Sequence, residues 1–123
     1  MRNTRLGLTA ILLLALLAAC RAGFPTDKFV RSENGTNSHL IFMNGGRWEG
    51  YRDGNLITFG NYRAQGDQLF IDSDYLCEEA GMPVQATYNW SYTNDTLTLS
   101  PVGQDGCAER LELFSLGPFT RSQ

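Results

Sequence analysis

The chain has 123 residues, with thirteen acidic against ten basic residues and a net charge of −3. That length suits one domain. The acidic balance argues against nucleic-acid binding, which needs gathered Lys and Arg, and against adhesion to anionic headgroups.

The first twenty residues form a unit of their own. Met1 to Arg5 carries two arginines and no acid, and Leu6 to Leu17 is an apolar run of twelve residues. Ala18 and Ala19 then precede Cys20. Basic start, apolar middle and small-residue end are the pattern of a secretory signal. Twelve apolar residues reach about 18 Å as a helix, short of the roughly 30 Å hydrocarbon core. The sequence Leu17-Ala18-Ala19-Cys20 resembles the lipobox of bacterial lipoproteins. That resemblance implies cleavage before Cys20 and acylation of Cys20, so residues 1–19 are expected to be signal and residues 20–27 a lipid-anchored tether. Several acyl chains hold a protein stably on a membrane, whereas one is marginal. Arg21 stands where a retention aspartate would be, which favours the outer leaflet where two membranes exist. The expected address is therefore a cell or outer membrane, facing periplasm or exterior. Without Arg2 and Arg5, eight basic residues face thirteen acids, a net charge of about −5 on the mature chain.

From Lys28 the sequence reads as short strands and turns. A weak first strand begins at Lys28, and Asn34-Gly35 is a strong turn dipeptide. His39 to Met43 is apolar, and Asn44-Gly45-Gly46 turns the chain into Arg47 to Arg52. Asp53-Gly54 is a type I′ hairpin signal leading to Asn55–Ala64, whose interior Gly60 suggests a bulge or bend. Gln65-Gly66-Asp67 turns into Gln68–Ser73. Asp74 to Pro83 is irregular and holds Cys77. In Val84 to Tyr92, the residues Val84, Ala86, Tyr88, Trp90 and Tyr92 share one face. Thr96 to Pro101 alternates again through Leu97 and Leu99, so the two runs form a half-buried antiparallel pair. Ala108 to Leu116 alternates Leu111 and Leu113 with Arg110 and Glu112, and is expected as a strand despite its helix-forming residues. Gly117 to Phe119 caps the fold ahead of a tail. Turn signals about every eight to twelve residues, joined by short connections, predict an all-β domain over residues 28–123. The expected form is a single antiparallel up-and-down β-barrel of about eight strands. An eight-stranded barrel is filled by its side chains or holds one small ligand.

Gly60, Tyr62, Gly66, Asp67, Cys77, Tyr88, Trp90, Asp95, Leu97, Leu99, Asp105, Cys107, Arg110, Phe119, Thr120 and Arg121 stand at spacings that resemble the C-terminal half of small bacterial lipocalin-like, calycin-type domains. The resemblance spans about sixty residues. It implies an eight-stranded barrel and a disulfide between Cys77 and Cys107. Gly46-Arg47-Trp48 has the G-x-W form of lipocalins proper but falls on the third run rather than the first strand. Such a disulfide fits the cysteine count, since three cysteines leave one over and Cys20 is the lipidation site.

No motif names an enzyme or a cofactor. His39 is the single histidine and no nucleophile has an evident base, so the chain reads as non-enzymatic and likewise without a metal. Asp72, Asp74, Glu78 and Glu79 lack calcium-loop spacing and are expected as a solvated acidic loop. Phe42, Trp48, Tyr88 and Trp90 are the candidate ligand-binding residues, because aromatic walls with a few polar tips suit small apolar molecules. The same rings also serve simply to fill a small core. The expected partners are thus the membrane, through Cys20, and a small apolar or amphipathic ligand bound by a monomer. The alternative is a protein-binding envelope module or a purely structural surface lipoprotein. Small periplasmic lipoprotein barrels with a disulfide include lysozyme inhibitors, which insert a loop into an enzyme cleft. The loops Asp74–Pro83 and Val102–Gly106 would suit that role.

Overall fold

Tight turns set the register of the chain. In the computed structural model, which describes residues 23–123, three two-residue turns place both central residues at positive φ: Asn34 and Gly35 at 50° and 79°, Asp53 and Gly54 at 50° and 81°, Asn94 and Asp95 at 52° and 60°. These are the values of type I′ turns, whose twist matches that of paired strands. The expected signal segment, residues 1–19, and Cys20, the expected lipidation residue, lie outside the described residues.

Eight strands result: β1 (Lys28–Glu33), β2 (Thr36–Met43), β3 (Arg47–Arg52), β4 (Asn55–Gln65), β5 (Gln68–Ile71), β6 (Ala86–Thr93), β7 (Thr96–Pro101) and β8 (Phe119–Arg121). Each pairs antiparallel with its neighbour in sequence, and β8 pairs with β1, so the sheet is a closed up-and-down barrel. Two short helices interrupt it, α1 (Tyr75–Glu79) between β5 and β6 and α2 (Ala108–Ser115) between β7 and β8.

The segment Ala108–Leu116 is therefore a helix, not the strand its alternating leucines suggest, and the eighth strand is the short Phe119–Arg121 beyond it. The physical reason is burial. Arg110, Leu113 and Phe114 are the buried residues, spaced three and four apart on one helical face. The irregular stretch after β5 likewise contains a helix, capped by Asp74, whose Oδ1 accepts from Cys77 N at 3.2 Å. Gly60 does not mark the bulge either. The register slips between Gly50 and Tyr51, which leaves Ile57 of β4 without a partner. Gly60 stays in register opposite Trp48, and its hydrogen is needed because a Cβ there would stand 1.8 Å from Ser73 O.

Up-and-down topology gives the barrel two distinct ends. The turns 44–46, 66–67 and 94–95 lie at the end where the chain enters, here the tether end. The β1–β2 and β3–β4 turns and both helices lie at the other, the helix end. The inward faces of the strands supply a core that includes Phe29, Leu40, Phe42, Trp48, Leu69, Tyr88, Leu97 and Phe119.

Candidate ligand-binding site

The four aromatic residues singled out in the sequence all face the interior, and the structure divides them into two pairs. Phe42, Trp48 and Tyr88 are each at most 1 % exposed, and Trp90 is half-buried. Trp48 and Tyr88 meet across Phe114 of α2, with ring centroids 5.3 Å and 5.1 Å from it. Phe42 and Trp90 meet across Phe24 of the tether, at 4.8 Å and 5.2 Å. Tyr62 completes this second group, 5.6 Å from Phe24 and 5.2 Å from Phe42. Most of these contacts are edge-to-face or tilted, the arrangement that the ring quadrupoles favour. Each end of the barrel thus receives one ring from outside the sheet. Neither Phe24 nor Phe114 stands out in the sequence: one lies in a tether without periodicity, the other in a segment that reads as a strand.

The two stoppers are held very differently. At the helix end, Cys77 and Cys107 form a disulfide with Cα atoms 5.9 Å apart, joining α1 to the start of α2. Beneath it lies a buried ionic knot. Arg110 donates to Asp105 through Nε at 2.9 Å and Nη2 at 2.7 Å, and to Asp74 through Nη1 at 3.3 Å. Its remaining bonds go to the carbonyls of Pro83 and Val84. Asp105 also accepts from Cys107 N and Tyr88 OH, and Asp74 from Thr58 Oγ1. Burial works to raise the Asp105 carboxyl, but the bonds from Arg110, Tyr88 and Cys107 outweigh it and hold the group below its ordinary value. Burial, and then Asp105, pushes the Tyr88 phenol upward. Asp74 is accordingly a buried, paired residue, not a member of a solvated acidic loop. The other acids there diverge. Asp72 pairs with Arg63 at 2.8 Å, while Glu78 and Glu79 are exposed. Among the described residues no three His, Cys, Asp or Glu side chains converge as a metal site.

Arg31 finishes this end. It donates to Leu113 O at 3.0 Å and Gly117 O at 3.3 Å, placing a cation at the C-terminus of α2. Beside it opens a cavity of about 290 Å³ whose lining includes Arg31, Glu33, Arg52, Glu112 and Leu116. None of its lining residues is one of the four aromatic candidates.

At the tether end the attachments are fewer. Asp27 O accepts from Phe42 N at 3.0 Å, and the Asp27 carboxylate accepts from Lys28 N and Arg121 Nε. The Lys28 N–H, and then Arg121, hold that carboxyl below its ordinary value. Phe24 precedes this anchor and belongs to no strand. The indole Nε1 of Trp90 is buried with no hydrogen-bond partner. His39 lies half-buried in the middle of β2, stacked on Tyr51 at 4.3 Å. Comparison of the chain with family models, curated proteins and solved structures finds no match.

Proposed function

We propose that the protein is an exported, lipocalin-like barrel, held on a membrane by lipid at Cys20, that binds a small apolar or amphipathic molecule without acting on it chemically. One observation carries the binding reading. The seat formed by Phe42, Tyr62 and Trp90 holds a ring that does not belong to the sheet, so this part of the interior accommodates a ring-sized apolar group. Aromatic walls of this kind are what small-molecule pockets use. The non-catalytic reading is supported by the fate of the buried charges. Asp74, Asp105 and Arg110 bond to one another and to backbone groups, which leaves them as structural ties. Membrane attachment is supported by the lipobox-like Leu17-Ala18-Ala19-Cys20.

The test is titration of the mature protein with small aromatic probes, followed by the fluorescence of its two tryptophans. Saturable quenching at one site is expected. A linear, non-saturating response to every probe would overturn the ligand reading. A second reading, binding of an envelope protein at the helix end, draws on the charged cavity beside Arg31 and on loops held together by the disulfide.

A further inference from the structure

The ring of Phe24 and the bare indole N–H of Trp90 belong to the same seat. Phe24 and Trp90 form a T-shaped pair with centroids 5.2 Å apart, and Trp90 Nε1 is buried without an acceptor. A buried donor left unpaired is unfavourable, and each such group in a native structure calls for an explanation. The phenyl ring packed on this indole brings no carbonyl or hydroxyl oxygen to the N–H. The seat is satisfied in shape and left unsatisfied in polarity.

The tether is also built to leave. Among the described residues its hydrogen bonds begin at Asp27, which holds Phe42 N, Lys28 N and Arg121. Phe24 lies three residues before that pivot and outside the sheet, so its ring can withdraw without opening any rung of the ladder between β1 and β2. Phe114, by contrast, sits on a helix tied down by the disulfide and the Arg110 knot.

We propose that Phe24 is an intramolecular plug in a site for a small aromatic molecule bearing a hydrogen-bond acceptor, which displaces the plug and bonds Trp90 Nε1. The inference rests on the ligand reading given above and deepens it. Ligand binding and tether docking then compete for one seat. A tethered ring acts at the high effective concentration of an intramolecular competitor. The measured affinity is lowered by the fraction of molecules in which the seat is filled.

The experiment uses the full mature chain and two probes of similar shape, acetophenone, which carries an acceptor, and ethylbenzene, which does not. Phe24→Ala is expected to tighten acetophenone binding about tenfold or more by removing the competitor. Trp90→Phe is expected to abolish the preference for acetophenone over ethylbenzene. In the unsubstituted protein, saturating acetophenone is expected to abolish the NMR contacts between the Phe24 ring and the rings of Phe42 and Trp90, a readout that depends on no variant folding. If the unsubstituted protein binds and Phe24→Ala binds equally or more weakly, Phe24 is part of the wall and the plug is wrong, while the ligand reading stands. Persistence of those ring contacts on binding would overturn the plug in the same way. If neither protein binds either probe, the ligand reading itself fails and the plug with it.

Discussion

At the scale of single residues, Arg110 decides most. It is a fully buried cation facing two buried carboxylates, and its position follows from the spacing Asp105, Cys107, Arg110 at the start of α2. Removing one partner from such a group strands the others in a poorly solvating interior. Arg110→Ala is expected to lower stability by about 3–5 kcal/mol, measured by urea unfolding. The pH dependence has a defined sign. The folded Asp105 carboxyl sits below its ordinary value, so its ion pair stabilises the protein at neutral pH. That contribution starts to fade as the pH falls below about 3.9, the unfolded value, and is gone below the folded one. The share of stability due to Asp105 should hold steady from neutral pH to about pH 4 and then drop. Asp105→Asn is expected to be less stable at pH 7 and to show a shallower acid slope. An equally steep slope in that variant would assign the acid loss to other groups.

At the scale of elements, the disulfide and α2 act together. Cys77 and Cys107 are separated by 30 positions, and closing a loop of that size contributes about 3–4 kcal/mol on the chain-entropy account. Cys77→Ser with Cys107→Ser, or reduction of the native pair, should lower the unfolding free energy by about that amount. It should also loosen α2 before the barrel, seen as earlier hydrogen exchange at 108–115 than in β2 or β3. The strands themselves were legible because each hairpin carries its own turn chemistry and because inward residues alternate, as Tyr88, Leu97 and Leu99 do. Even the turn Asn94–Asp95, which has no glycine, is marked by residues that tolerate positive φ. α2 was not legible. Leu111 and Leu113 mimic a period of two, and only the tertiary partners of Arg110 and Phe114 select the helical face. The candidate site was half legible. The alternation that marks Tyr88 and Trp90 as inward also marks their faces as core. Of the rings that divide the candidates into two groups, Phe24 comes from a segment with no pattern and Phe114 from one whose pattern points to a strand. Gly50 shows the same limit. Its missing side chain makes room for Leu113 of α2, since a Cβ would lie 2.8 Å from Leu113 Cδ2, and nothing local announces that neighbour.

At the scale of the whole molecule, the barrel is closed by a stapled helix at one end and by a single tether residue at the other. Under the lipid-anchor proposal, the four steps from Cys20 to Phe24 span at most about 14 Å, so the Phe24 end faces the membrane and the helix end faces away. A ligand arriving from the bilayer then meets the plugged end first. The barrel wall has its own weak line. Strand β8 is three residues long and meets β1 through two register pairs, Phe29 with Arg121 and Val30 with Thr120, and β7 through two more. Arg31 over the Phe119 ring at 4.5 Å, and Arg121 reaching Asp27, clasp this seam from either side. As long as it holds, every strand among the described residues has a paired neighbour on each side. If β8 peels away, β1 and β7 become exposed margins with free N–H and C=O groups, the template on which foreign strands add. Closure by the three residues of β8 thereby withholds that template from foreign strands.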